Sequence, residues 1–235
     1  MLPFKCQKCR LTSMFGQRIH PITGVKEFHK GIDIVAVGGD EVVAAKSGTV
    51  VRSRIVTDKS DATWQWGNYV AVQGSDGCTI YYCHLSTRAV RVGEKVTRGD
   101  LLGLQGATGQ ATGKHLHFEV RRNGESINAA EYLGIENKLG TYDDVYIAVK
   151  KLARAKVINT PEYWLKHCRD IPYLDELLVR CSDYVDGCRR KCATVEEAVQ
   201  RLKMMRIINT PEYWLNNADK VEHLPELLKK LGANV

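Results

Sequence analysis

The sequence predicts an α+β multidomain chain: an antiparallel β domain first, then an all-α domain of two tandem three-helix repeats. Three observations lead there. Short alternating apolar runs separated by Gly-containing turns fill residues 32–120. The composition shifts over residues 134–144. An octapeptide, Ile158-Asn159-Thr160-Pro161-Glu162-Tyr163-Trp164-Leu165, then returns unchanged 50 residues further on, at residues 208–215.

Taken in order, residues 1–15 read as a short lead, with Cys6-x-x-Cys9 as half of a zinc-ribbon spacing whose second half is missing nearby. Residues 16–24 read as a Gly- and Pro-punctuated loop. Residues 29–37 enter a strand, and strand runs follow at 41–44, 48–53, 68–73, 78–84, 99–105 and 115–120. Gly38-Gly39-Asp40, Gly74-Ser75-Asp76-Gly77 and Arg98-Gly99-Asp100 supply turns between them. Residues 54–66 form a longer polar loop ending in Trp64 and Trp66, which are either groove walls or part of the core. Each repeat reads as three short helices. Val145, Ala148, Val149 and Leu152 stand at helical spacing, and Val195, Ala198, Val199 and Leu202 match them. Thr160 followed by Pro161 is an N-cap signal for the second helix, repeated at Thr210-Pro211. Leu174, Leu177 and Leu178 mark the third, with Leu224, Leu227 and Leu228 as their counterparts. The expected boundaries are 1–138 for the β domain, 139–144 for a linker, 145–187 for the first repeat and 188–235 for the second. Trp164 and Trp214 are expected in the core, because units this small need large apolar side chains.

The net charge is +7, and the excess sits mainly on residues 1–142, with 18 Lys+Arg against 13 Asp+Glu. A basic surface favours polyanions in general. No Lys/Arg stripe interleaved with aromatics marks a nucleic-acid groove, and no apolar run approaches the roughly 20 residues of a membrane span. Neither nucleic acid nor a membrane is therefore expected as a partner. Residues 1–6 lack a basic region leading into an apolar one, so cytoplasmic synthesis without a signal peptide is expected. The eight cysteines are then expected as reduced thiols. Cys168, Cys181, Cys188 and Cys192 cluster where the repeats join, where a structural metal is the alternative.

The residues that carry chemistry gather around Lys114-His115-Leu116-His117-Phe118-Glu119-Val120. In a strand, His115, His117 and Glu119 share one face, while Leu116, Phe118 and Val120 pack inward on the other. Upstream, His29-x-x-x-Asp33 offers one imidazole and one carboxylate, with Gly31 between them to let the chain bend. His29, Asp33 and one of His115 or His117 make a two-histidine, one-carboxylate set, the composition of a catalytic zinc site with one open position. Tyr81-Tyr82-Cys83-His84-Leu85 ends another strand in a further imidazole. By alternation Cys83 points away from His84 and into the core. Glu119 is either a partner of the site or a surface carboxylate. His20, in its loop before Pro21, is expected to have a structural role.

These motifs, in this order, resemble the lysostaphin-type (LytM-type) zinc endopeptidases of bacterial peptidoglycan. The resemblance spans residues 16–120 and includes Arg18-Ile19-His20-Pro21-Ile22-Thr23-Gly24, Lys46-x-Gly48 and Gly106-x-Thr108-Gly109. It implies a lysostaphin-like catalytic domain that takes Zn2+ on His29, Asp33 and His117. It implies catalytic roles for His84 and His115, one as general base and one as oxyanion partner. It implies peptidoglycan as substrate, cut at a peptide bond of the stem or cross-bridge. With the tandem repeat read as a wall-binding module, the architecture suggests a phage endolysin acting on the bacterial cell wall. The alternatives are a non-catalytic wall-binding or activator protein on the same scaffold, or a phage tail-associated wall-degrading component, with the repeats serving assembly or dimerisation.

Overall fold

A computed structural model describes residues 1–20, 24–174, 177, 181, 192, 194–220, 224, 227–228 and 231. The chain divides into two compact units, Met1–Asp143 and Asp144–Val235.

The first unit is built almost wholly of strands. In order they are β1 (Lys8–Ser13), β2 (Gly16–Ile19), β3 (Lys26–His29), β4 (Ile32–Ala36), β5 (Glu41–Val43), β6 (Gly48–Arg54), β7 (Asn68–Gly74), β8 (Cys78–Leu85), β9 (Thr87–Arg88), β10 (Lys95–Val96), β11 (Leu101–Leu104), β12 (Leu116–Arg122), β13 (Glu125–Ile127) and β14 (Gly140–Asp143). One large sheet runs β10-β6-β7-β8-β12-β4-β1-β14, with β13 also paired to β12. Strands β5-β11-β9 form a second sheet, and β2 and β3 pair as a separate ribbon. Every described pairing is antiparallel. The expected β domain is therefore present, and β12 and β8 lie side by side near its middle. Leu116, Phe118 and Val120 are buried with Ile32, Ile34, Ile80 and Tyr82, so the apolar half of each alternating run supplies the core.

Several elements depart from the sequence reading. The lead is no appendage: Leu2 and Phe4 are fully buried, and Cys9 and Leu11 on β1 face the core. Burial first, with Cys6 and Asp143 nearby, pushes the Cys9 thiol up to about 12, far from the thiolate that a metal would need. The loop expected at 16–24 contains β2, paired through Gln17↔Phe28 and Arg18↔Glu27. Residues 140–143, expected to be a linker, are strand β14, in register with β1 through Tyr142↔Cys9. Tyr142 is the anchor: its ring is buried and its hydroxyl donates to the Lys138 carbonyl. Ahead of β14, helix α1 (Ala129–Leu133) is capped by the Asn128 side chain and closed by left-handed Gly134, so part of the composition shift is a helix end.

In the second unit, α2 (Asp144–Arg154), α3 (Pro161–His167), α4 (Val195–Met204) and α5 (Pro211–Asn217) fall at equivalent places in the two copies. Ala148, Val149 and Leu152, with Ala198, Val199 and Leu202, are buried as the spacing requires, and so are Trp164 and Trp214. Thr160 and Thr210 do precede their helices, but neither side chain makes a capping hydrogen bond; Pro161 and Pro211 start those helices instead. Leu174, Leu177, Leu224, Leu227 and Leu228 are buried. Leu178, the rest of each expected third helix, the expected repeat boundary at 187–188 and Cys188 lie outside the described residues. Cys168 and Cys181 are buried and Cys192 is half-buried. No described helix is long and apolar enough to cross a membrane.

Candidate metal centre

The centre is assembled from residues on strands β3, β4, β8 and β12 and from the loops that carry Thr108 and His115. Asp33 on β4 stands opposite His117 on β12 in register, which puts both side chains on one face of the sheet. His29 closes the β2–β3 ribbon and reaches the same point. His29 Nε2 lies 3.0 Å from His117 Nδ1 and 3.3 Å from Asp33 Oδ1, and His117 Nδ1 lies 3.0 Å from Asp33 Oδ1. Donors around a four-coordinate zinc at about 2.0–2.1 Å stand about 3.3 Å apart, so this triangle is the size of one face of such a site. Among the described residues it is the one group of three or more His, Cys, Asp or Glu able to hold a metal ion.

The tautomers explain why the triangle needs a cation. His29 donates from Nδ1 to the Met14 carbonyl at 2.8 Å, which leaves its Nε2 with a bare lone pair. His117 turns Nε2 towards Glu119 Oε2 at 3.5 Å, so its Nδ1 is bare when the ring is neutral. With His117 neutral in that tautomer, two nitrogen lone pairs and a carboxylate oxygen converge with no hydrogen among them. Burial alone would lower the His117 pKa, but the Asp33 and Glu119 carboxylates overcome it and raise it to about 9. Burial likewise would raise the Asp33 carboxyl, and the His117 and His29 imidazoles hold it well below the usual range. In both cases the pocket demands positive charge, from a proton or from a metal ion.

Gly31 fits the centre for a reason other than bending. Its backbone is not left-handed; a Cβ there would lie 2.6 Å from the Phe118 carbonyl oxygen and 2.8 Å from His117 Cε1. The missing side chain lets the chain pass against the His117 ring.

His84 reaches the site by a route that alternation does not foresee. His117 pairs with Cys83, so it is Cys83 that shares the site's face, buried with Tyr69 and Val56 beneath Trp64, Trp66 and Tyr81. Regular alternation would send His84 to the opposite face with Tyr82. The β7–β8 register slips by one residue between Asn68 and Val70, and His84 adopts φ +64°. This bulge turns the ring back to within 4.6 Å of His115 and 5.9 Å of His117, centroid to centroid. Thr108 holds it there. The His84 Nδ1–H donates to the Thr108 carbonyl at 2.8 Å, while the Thr108 hydroxyl donates to the Leu85 carbonyl and accepts from the Asn68 amide. Burial first, then the neighbouring His117 and His115, push the His84 pKa down to about 3. His115 donates from Nδ1 to the Gly113 carbonyl, and its Nε2 lies 3.7 Å from Asp33 Oδ1.

Glu119 is no surface carboxylate. It is 1 % exposed and accepts from Arg121 Nε at 2.6 Å and Ser126 Oγ at 2.8 Å. Burial would raise its pKa; His117 and Arg121 bring it to about 2. A cleft of about 300 Å³ opens over His29, His84, His117 and Glu119, walled by Trp66 and Arg121. Trp66 therefore serves both readings of the loop: it packs on Tyr69 and Tyr81 and it lines the cleft. His20 stands at the rim of the same cleft.

Comparison with known proteins agrees with this chemistry. Residues 27–129 match the family model described as Peptidase family M23. The matched stretch lies wholly within the β unit and contains His29, Asp33, His84, His115 and His117. The peptidoglycan DD-endopeptidase ShyC of Vibrio cholerae is 35 % identical over 151 residues, covering 63 % of this chain and 33 % of the relative. The DD-carboxypeptidase/endopeptidase Mpg of Neisseria meningitidis is 37 % identical over 119 residues, covering 51 % of this chain and 26 % of the relative. The chain thus spans about a third or less of the length of these relatives. Among solved structures, the catalytic domain of lysostaphin from Staphylococcus simulans matches at 28 % identity and TM-score 0.45, over 54 % of this chain and 90 % of that one.

Proposed function

We propose that this protein is a zinc-dependent peptidoglycan endopeptidase, in which His29, Asp33 and His117 hold the metal and His84 and His115 handle protons. The observation that carries the reading is the convergence of three donor atoms, 3.0–3.3 Å apart, in a buried pocket at the foot of an open cleft. A zinc ion held there supplies the positive charge that polarises a peptide carbonyl and makes water acidic enough to react near neutral pH. The chain's own residues do the rest. His84 and His115 share one tautomer: each spends its Nδ1–H on a backbone carbonyl and keeps Nε2 as an acceptor. The pair is therefore equipped to take the proton of an attacking water at one Nε2 and to return it to the leaving amine. Once protonated, the same Nε2 donates to a developing oxyanion. Trp66 and Arg121 wall the cleft and give an extended peptide a surface to lie against.

The finer reading is that the substrate bond lies in the stem or cross-bridge, and that the chain is a phage endolysin delivered to the cell wall from the cytoplasm. The ShyC and Mpg relatives, named for DD-endopeptidase activity, support a peptide bond as the target. For the second unit we favour wall binding. Two copies of one motif on a repetitive polymer raise avidity through effective concentration. A cavity of about 390 Å³ in that unit, lined by Tyr173, Tyr213 and Trp214 with Asn209 and Thr210, offers aromatic and polar groups to a ligand.

Mass spectrometry of purified peptidoglycan digested by the full chain tests the enzyme reading. New amino termini at one stem or cross-bridge bond are expected; walls left intact by zinc-loaded protein would overturn it. For the repeats, a full-length His115→Ala chain should sediment with intact walls, and the same chain ended at Asp143 should not. Equal sedimentation of both would leave assembly or dimerisation as the role of the second unit.

A further inference from the structure

We propose that Arg18 is a positioning residue that confines Asp33 to a single metal-facing oxygen. The inference rests on reading His29, Asp33 and His117 as metal ligands. The two carboxylate oxygens of Asp33 have separate surroundings. Oδ1 faces His29 Nε2 at 3.3 Å, His117 Nδ1 at 3.0 Å and His115 Nε2 at 3.7 Å. Oδ2 accepts from Arg18 Nη1 at 2.9 Å. The guanidinium is itself fixed from two other directions: Nη1 donates to Ser13 Oγ at 2.6 Å, and Nε donates to Glu27 Oε1 at 2.8 Å. Glu27 stands opposite Arg18 in the β2–β3 ribbon whose last residue is His29, so one short ribbon carries both a candidate ligand and the group that orients another.

The consequence follows from coordination chemistry. A carboxylate with both oxygens free can close on a metal ion through one or both of them. A catalytic zinc site keeps three protein donors and one open position, and a second oxygen from Asp33 would fill that position or expand the shell. Arg18 engages Oδ2 in a charge-assisted hydrogen bond, which turns the lone pairs of that oxygen away from the ion. It also withdraws negative charge from Asp33, leaving the ion a stronger Lewis acid. Arg18 lines the cleft above His29 and His117 and also a second cavity, of about 380 Å³, bounded by Asp33 and His115. It thus lines both cavities.

The test uses the full chain with Co2+ in place of zinc, comparing wild type, Arg18→Met and Arg18→Lys. Wild type is expected to show the intense visible absorption of a four-coordinate cobalt site. Arg18→Met should show the weaker bands of a five-coordinate site, and its zinc affinity, by chelator competition, should shift by about tenfold or more. Arg18→Lys keeps the charge but cannot hold Ser13, Glu27 and Asp33 together in a planar fork, so it should fall between. Thermal unfolding of the metal-free proteins shows whether each variant folds; if Arg18→Met does not, Arg18→Lys decides. A folded variant with the wild-type cobalt spectrum and zinc affinity overturns the inference about Arg18. A wild type that binds no cobalt overturns the metal-site reading itself, which keeps the two failures apart.

Discussion

Strands β12 and β8 lie side by side and each brings a histidine to the same point, by opposite means. On β12, His117 and Glu119 share a face through regular alternation, and register with β4 sets Asp33 directly across. On β8, alternation would carry His84 away from the centre, and a bulge with a left-handed residue returns it. The difference separates two kinds of site residue. The one that closes the donor triangle sits on unstrained, fully paired backbone. The one read as handling protons sits where the ladder breaks and depends on the Thr108 loop to hold its orientation. Rigid placement suits a metal ligand, whose distance tolerance is small; a bulge re-aims a side chain that must meet a changing substrate.

Breaking either half of this comparison should have its own signature. The largest effect is expected from His84→Ala and His115→Ala, which should lose about 10²–10⁴-fold in wall hydrolysis while keeping zinc, because neither belongs to the donor triangle. Turbidity loss of cell walls with parallel elemental analysis checks both; a near-normal rate in either variant removes its role. Next comes Gly31→Ala. Its Cβ would press on the Phe118 backbone and the His117 ring, so a stability loss of about 1–3 kcal/mol and weaker zinc binding are expected together, read by denaturant unfolding and chelator competition. Unchanged zinc affinity would show that the ring yields without cost.

Smaller effects should come from the β8 side alone. Thr108→Val removes one hydroxyl that serves both the Leu85 carbonyl and the Asn68 amide, leaving buried backbone groups to find other partners. A loss of about 1–3 kcal/mol in stability is expected, with activity falling while zinc content stays constant. The smallest signature is spectroscopic. With its pKa pushed down from 6.5 to about 3, His84 takes up no proton between pH 8 and pH 5, so its imidazole NMR shifts should stay flat there. The same depression means the unfolded chain gains a proton near pH 6.5 that the folded one refuses, so this group's contribution to stability falls as pH drops below 6.5. A His84 titration centred near 6.5 contradicts the burial argument.

What the sequence makes legible follows the same division. The inward set Leu116, Phe118 and Val120, and the amphipathic Val145–Leu152 run, come from periodicity and fold as their spacing dictates. The grouping of His29 and Asp33 with one histidine of His115-Leu116-His117 was readable from local motifs, and the choice of His117 came from the family resemblance. Cys83 is buried as expected, but alternation does not bring His84 to the site, because a bulge leaves no local mark in Tyr82-Cys83-His84. Alternation left Glu119 open between partner and surface, since burial depends on Ser126 and Arg121 closing over it. Strand β14 was hidden for another reason: pairing Tyr142 with Cys9 is a contact between the two ends of the unit, and nothing within Gly140–Asp143 announces it. Arg18 sat inside a recognised motif without a role until its distance to Asp33 gave it one.

The central claim is that His29, Asp33 and His117 hold one metal ion. The most direct measurement is zinc content per chain, by elemental analysis after dialysis, for wild type and His117→Ala. One equivalent of zinc in the wild type and almost none in the variant is expected. A His117→Ala protein that keeps stoichiometric zinc, or a folded wild type that holds none when zinc is supplied, would contradict the account.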